Sequence, residues 1–220
     1  MVLIPLRDEN PSSITPLVNW GIVASCIAVF LWQMYSGENQ YASIIYKYGF
    51  IPENLLDPSF SYTLITSMFL HGGLLHLGGN MLYLYIFGDN VEDMCGHTSY
   101  LAFYLVCGVL ASFAFYLSDP ASNVPAIGAS GAISGVLGAY VLLFPRARIL
   151  TAVPIGPFIR VIHIPAFIMI GFWFVYQFLL AFLALETGVA YWAHIGGFVA
   201  GLALGKIFAR KRRAHPLYTR

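Results

Sequence analysis

The sequence predicts an all-α polytopic membrane protein: a bundle of six transmembrane helices in which the fourth is short and partly buried. Composition and charge placement predict it. The 220-residue chain is 59% hydrophobic and only 10% charged, where globular chains carry roughly a quarter charged residues. Its mean hydropathy is +0.74. The charges are segregated, and they leave apolar stretches of about 17 to 21 residues, the length that crosses a bilayer core.

The first span is expected at 18–35 (VNWGIVASCIAVFLWQMY), followed by a long polar and aromatic connection at 36–65. The second span is expected at 67–87, the third at 98–118 and the fourth at 130–144. The fifth covers 165–185 and the sixth 191–209. This divides the chain into an N-terminal tail (1–17), one six-span domain (18–209) and a basic tail (210–220, RKRRAHPLYTR). The three cysteines, Cys26, Cys95 and Cys107, are too few and too scattered for a disulfide framework. No small-residue cleavage site follows a short basic start, so no cleaved signal peptide is expected.

An even number of spans puts both termini on one side. Of the eleven Lys and Arg residues, only Lys47 then falls opposite; Arg7, Arg146, Arg148, Arg160, Lys206 and the basic tail share the terminal side. Positive charge accumulates on the cytoplasmic side, so both termini are expected in the cytoplasm. The compact chain, without a transit segment, points to a prokaryotic plasma membrane.

A fourth span from Ser130 to Phe144 is about 22 Å of helix, against roughly 30 Å of hydrocarbon. With its cytoplasmic end at Pro145-Arg146, Ser130 lies about 8 Å below the outer hydrocarbon boundary. The preceding SDPASNVPAIGA must dip in to reach it, and irregular backbone at that depth needs burial in protein or access to water. A water-filled cavity opening to the outer side is therefore expected around Ser130.

Ionisable residues inside spans are costly and mark functional candidates. His71 and His76 lie near the outer end of the second span, with Asn80 a turn later, and His194 lies near the outer end of the sixth. Alternating span directions bring His76, Asn80, Ser130 and His194 to similar depths on three helices. Each has a structural alternative. A serine can bond back to its own helix, His76 can bond Asn80 one turn away, His194 can bridge helices, and His71 can sit at the water interface. A histidine metal site lacks both an acidic partner and H-x-x-x-H spacing.

The combination is more specific than its parts. Glycines at 131, 135 and 138 and at 197, 201 and 205 form small-residue stripes that let two helices approach closely. Such contact brings His194 within hydrogen-bond reach of Ser130, where an imidazole can take the serine proton and return it to a leaving group. The start of the fourth helix offers free backbone N–H groups to an oxyanion, and His76 and Asn80 add side-chain donors. No carboxylate is placed to orient His194, since Asp119 and Glu186 both lie outside the spans, so a Ser-His dyad is expected.

These residues resemble the rhomboid family of intramembrane serine proteases. The matching elements are H-x-x-x-x-H-x-x-x-N (His71, His76, Asn80), G-A-S-G (Gly128 to Gly131) and A-H-x-x-G-x-x-x-G (Ala193 to Gly201), in family order over roughly residues 60–206. Gly88 and Glu92 also resemble the family pattern. The resemblance implies Ser130 as nucleophile, His194 as general base and acid, and His76, Asn80 and the Ser130 amide as the oxyanion site. Gly128 would expose the serine and His71 would help shape the cavity. Gly131, Gly197 and Gly201 would support the helix contact. It further implies transmembrane protein substrates cut within the lipid bilayer, a membrane-embedded first loop at 36–65, and a fifth span acting as a lateral gate lined by Phe172 and Tyr176. No cofactor, metal or nucleic-acid partner is expected.

Two positions depart from the pattern. Tyr62 and Thr63 stand where many relatives carry Trp-Arg, and Ser134 stands where many carry an aromatic residue packed on the histidine; Tyr191 or Trp192 is expected to take over that packing. Two other functions remain open on the residues alone: a rhomboid-like protein that binds membrane proteins without cutting them, and a transporter relaying protons through His76 and His194. The transporter is disfavoured by the apolar inner halves GAYVLLF and LALGKIFA.

Overall fold

The computed structural model describes residues 3–183 and 188–210. The expected end of the fifth span at 184–185, Glu186, and all of the basic tail beyond Arg210 lie outside the described residues.

Helix α1 spans Leu17–Tyr35, and α2 (Glu38–Tyr48) with the one-turn α3 (Thr63–Thr66) occupies the connection that follows. Helices α4 (Leu74–Cys95) and α5 (His97–Ser118) come next, then the short α6 (Ser130–Leu143), α7 (Ala166–Phe182) and α8 (Tyr191–Phe208). Two of these, α1 and α5, are long and apolar enough by themselves to cross a membrane; α6 and α7 are shorter apolar helices. Helix α6 is the central one: every residue from Ala132 to Tyr140 is buried, with α8, α5 and α4 packed around it.

The helix expected at 67–87 begins instead at Leu74 and runs on to Cys95. Gly72-Gly73 penalises helix, and the chain before it is held otherwise. Gln33 of α1 bonds both the backbone N–H (3.1 Å) and the carbonyl (3.3 Å) of His71, and the Tyr41 hydroxyl donates to the same carbonyl at 2.9 Å. At its far end α4 keeps the polar run GDNVEDMC helical because that run caps α1. Pro16, before α1, supplies no side-chain cap. Glu92, fully buried, instead accepts from the backbone N–H of Val18 (3.0 Å) and Asn19 (2.7 Å), and it pairs with His97. A carboxylate there satisfies two orphan donors and opposes the positive end of the helix dipole.

The all-α expectation needs correction at the cytoplasm-assigned end. Residues 148–165 form an antiparallel hairpin, β2 (Arg148–Ile155) and β3 (Phe158–Pro165), and the N-terminal tail adds β1 (Ile4–Asp8) in the order β1-β2-β3. The hairpin follows from alternation: Ile149, Thr151 and Val153 point inward and are buried, and Gly156 turns the chain at φ 59°.

Candidate active site

The glycine stripes do bring α6 and α8 together, with a division of labour that spacing alone does not reveal. On α8, a Cβ at Gly197 or Gly201 would collide with the carbonyl oxygens of Gly131 and Gly135 respectively. On α6, the missing side chain of Gly138 faces the Phe198 carbonyl of α8. Gly131 and Gly135 instead open mainly toward Ala111 and Cys107 of α5. The serine helix is thus wedged between α5 and α8 with almost no side chain on either flank.

At the end of this contact the Ser130 hydroxyl lies 2.8 Å from His194 Nε2. His194 Nδ1 is in turn 2.8 Å from Gln177 Oε1 on α7. A carboxamide oxygen only accepts, so Nδ1 carries a proton, and the neutral ring presents the Nε2 lone pair to the serine. In that arrangement Ser130 donates to His194.

His76 and Asn80 come to the same place from α4. The Gly72 N–H donates to His76 Nδ1 at 3.3 Å, which leaves the proton of the neutral ring on Nε2. Gly128 has φ 121°, a left-handed backbone that disfavours a side chain. A Cβ there would sit 2.7 Å from His76 Nε2 and 3.6 Å from Asn80 Nδ2. Two side-chain donors therefore converge beside the turn that leads into Ser130. Asn80 Nδ2 is buried and has no hydrogen-bond partner among the described residues. Buried donors of that kind are rare. His76, Asn80, Ser130, Trp173 and His194 line one cleft of about 620 Å³.

His71 is not in the wall of that cleft, nor at a water interface. It is fully buried, its Nδ1 donates toward the Phe69 carbonyl at 3.2 Å, and its ring meets His76 edge-on at 5.2 Å. It props the ring of His76 from behind.

The departures at 62–63 are accommodated. The Tyr62 hydroxyl donates to the Lys47 carbonyl at 2.8 Å, Thr63 Oγ1 donates to Phe60, and Thr66 Oγ1 reaches Tyr48. Edge-on ring contacts link Trp32, Tyr48 and Tyr62. At Ser134 the hydroxyl bonds back to the Ser130 carbonyl at 2.6 Å. Of the two aromatics expected beside His194, Tyr191 meets it edge-on at 6.4 Å, whereas Trp192 is turned away against Phe182. The more parallel ring is Trp173 of α7, at 6.0 Å and 34°. Gln177 and Trp173 escape a sequence reading that looks only near His194 in the chain. The available signal was Gln177 itself, an amide in the otherwise apolar run FIMIGFWFVYQFLLAF. Phe172 and Tyr176 line a second, smaller cleft of about 170 Å³ with Tyr83, Trp173 and Gln177.

Among the described residues no group of three or more His, Cys, Asp or Glu could hold a metal ion. A helical bundle that sets a half-buried serine-histidine pair and two convergent donors in one cleft has the makings of a hydrolase site. Comparison with known proteins agrees with that class. Residues 59–211 match the Rhomboid domain model, and the chain belongs to the rhomboid family, whose members are integral to membranes. It is 33% identical to Rhomboid protease GluP of Bacillus subtilis (strain 168), over 86% of this chain and 35% of that protein. It is 32% identical to the mitochondrial Rhomboid protein 1 of Saccharomyces cerevisiae, over 81% of this chain and 49% of that one. The human mitochondrial Presenilin-associated rhomboid-like protein is 30% identical over 59% of this chain and 33% of that protein. The chain thus spans about a third to a half of the first two relatives.

Proposed function

We propose that the protein is an intramembrane serine protease that hydrolyses peptide bonds in or near the transmembrane segments of other membrane proteins, using Ser130 and His194 as a dyad. The observation that carries this reading is the 2.8 Å contact between Ser130 Oγ and His194 Nε2 at the cleft, with the unsatisfied Asn80 donor beside it.

Ser130 Oγ attacks the scissile carbonyl while its proton passes to His194 Nε2. The tetrahedral oxyanion is held by His76 Nε2–H, Asn80 Nδ2–H and the Ser130 amide, which has no intrahelical acceptor at the start of α6. His194 then delivers the proton to the leaving amine. Water, deprotonated by the same imidazole, hydrolyses the acyl-serine. Gly128, Gly131, Gly197 and Gly201 make the arrangement possible by keeping Cβ atoms out of it, and His71 braces His76.

In this reading six helices (α1, α4, α5, α6, α7 and α8) span the bilayer, the termini are cytoplasmic, and the cleft opens outward. The Arg146–Arg148 end of α6 lies opposite its Ser130 end, as the positive-inside rule requires. A prokaryotic plasma membrane is the proposed location.

The test is fluorophosphonate labelling of the detergent-solubilised protein beside Ser130→Ala, together with cleavage of a panel of single-span substrates. Labelling of the wild type at Ser130, absent in the variant, supports the dyad. A wild type that neither labels nor cuts would sink the protease reading and leave a binding function.

A further inference from the structure

One residue held against this site comes from a helix whose other buried side chains are all apolar. Along α7, the described buried side chains are Ala166, Met169, Ile170 and Gln177, so Gln177 is the one amide buried on an otherwise apolar face. Burying a carboxamide without a partner is costly, so its placement requires compensation. The compensation is His194: Oε1 sits 2.8 Å from Nδ1. Trp173, one turn earlier, flanks the same ring. The acceptor at Nδ1 and the most nearly parallel ring therefore belong to α7, while the imidazole belongs to α8 and the serine to α6.

We propose that Gln177 is the positioning residue of the pair, fixing His194 as the Nδ1–H tautomer so that Nε2 faces Ser130. The inference rests on the dyad reading. A neutral imidazole with the proton on Nε2 would present a donor, not a base, to the serine, and proton transfer would stop. An amide oxygen selects the correct tautomer without adding a charge to an apolar site, as a carboxylate would. It also links reactivity to packing: His194 is oriented only while α7 is seated against α8. Phe172, Val175, Tyr176, Leu179 and Phe182 are exposed on the outward flank of α7.

The experiment compares wild type, Gln177→Leu and Gln177→Glu in detergent micelles, measuring kcat and KM on a single-span substrate, the rate of fluorophosphonate labelling, and the thermal unfolding midpoint. Leucine keeps the bulk and removes the acceptor; glutamate keeps the acceptor. The expected result is a fall of about 10- to 100-fold in kcat and labelling rate for Gln177→Leu, with KM within about twofold, the scale of a misplaced catalytic group. Gln177→Glu restores most of that loss. Wild-type kcat in a folded Gln177→Leu overturns the proposal, as does an equal loss in both variants with an unchanged midpoint. If Gln177→Leu does not fold, Gln177→Glu and Gln177→Met become the deciding pair: a difference in kcat of about tenfold or more supports the proposal, and a smaller one overturns it. Failure of the dyad reading is distinguishable: the wild type itself would then not label at Ser130.

Discussion

Asn80 shows how one side chain can be read for what it lacks. Its amide nitrogen is buried with no partner among the described residues, a state that costs about 1–3 kcal/mol and persists where function uses the free donor. In the proposed mechanism the developing oxyanion is the missing partner. Asn80→Ala should therefore lower kcat by about 10² to 10³, the usual cost of one such donor, while leaving the unfolding midpoint level or slightly higher. Steady-state cleavage and thermal unfolding on the same sample check it; a stability loss with unchanged kcat would make Asn80 structural. Gly128 bears on the same donors. Alanine there must adopt φ 121° and press on His76 Nε2, so it should displace a second donor and cost activity at least as severely. The sequence showed these residues as a motif, and it paired Ser130 with His194 through their matching depth, the glycine stripes and the family resemblance. Gln177 did not follow, because its partner is 17 positions away on another helix and helical periodicity says nothing of which neighbour a face meets.

At the scale of elements, the polar end of α4 governs the start of α1. Gly88 leaves the space in which Asn19 stands: a Cβ there would collide with Asn19 Oδ1. Asn19 itself accepts from the Tyr100 hydroxyl at 2.8 Å and donates to the Leu84 carbonyl at 3.0 Å. Glu92 then caps the helix. Three helices, α1, α4 and α5, are thus joined by one buried polar network, and such networks fail when half satisfied. Glu92→Ala should destabilise by about 2–4 kcal/mol, since it leaves two buried N–H groups without acceptors, and Glu92→Gln by less. Thermal unfolding in detergent measures both, and equal loss in the two variants would deny the capping role. Element positions were legible where hydropathy alone sets them, as in α1, α5, α6 and α8. They were misplaced where polar contacts override it. Gln33 and Tyr41 hold the chain at His71 out of helix and delay α4, and the capping network carries α4 through GDNVEDMC to Cys95. The hairpin at 148–165 was written in its period-two alternation, obscured by a composition that suits a membrane connection as well as a strand.

Across the whole molecule, the N-terminal strand ties the sheet to the serine helix through one carboxyl group. Asp8, the last residue of β1, accepts from the Tyr140 hydroxyl at 2.7 Å and from Asn90 Nδ2 at 2.9 Å. Tyr140 lies near the far end of the helix that begins with Ser130. Burial pushes the Asp8 pKa up to about 7 from an ordinary 3.8; the Tyr140 hydrogen bond opposes that rise and the nearby Asp89 charge adds to it. The folded protein therefore holds this proton more tightly than the unfolded chain does. Its contribution to stability is fully present below about pH 4 and is lost as pH rises through about 7. Asp8→Asn keeps an acceptor for Tyr140 and removes the titration. Unfolding midpoints taken from about pH 5 to about pH 8.5 should fall more steeply for wild type than for Asp8→Asn, with the variant more stable at the alkaline end. Because α6 carries Ser130, loss of this tie should also loosen the serine helix from its cytoplasm-assigned end. Fluorophosphonate labelling at about pH 8 should accordingly be faster to decay on heating in wild type than in Asp8→Asn. Parallel pH slopes for the two proteins would mean that Asp8 does not titrate in this range and that the tie is an ordinary hydrogen bond.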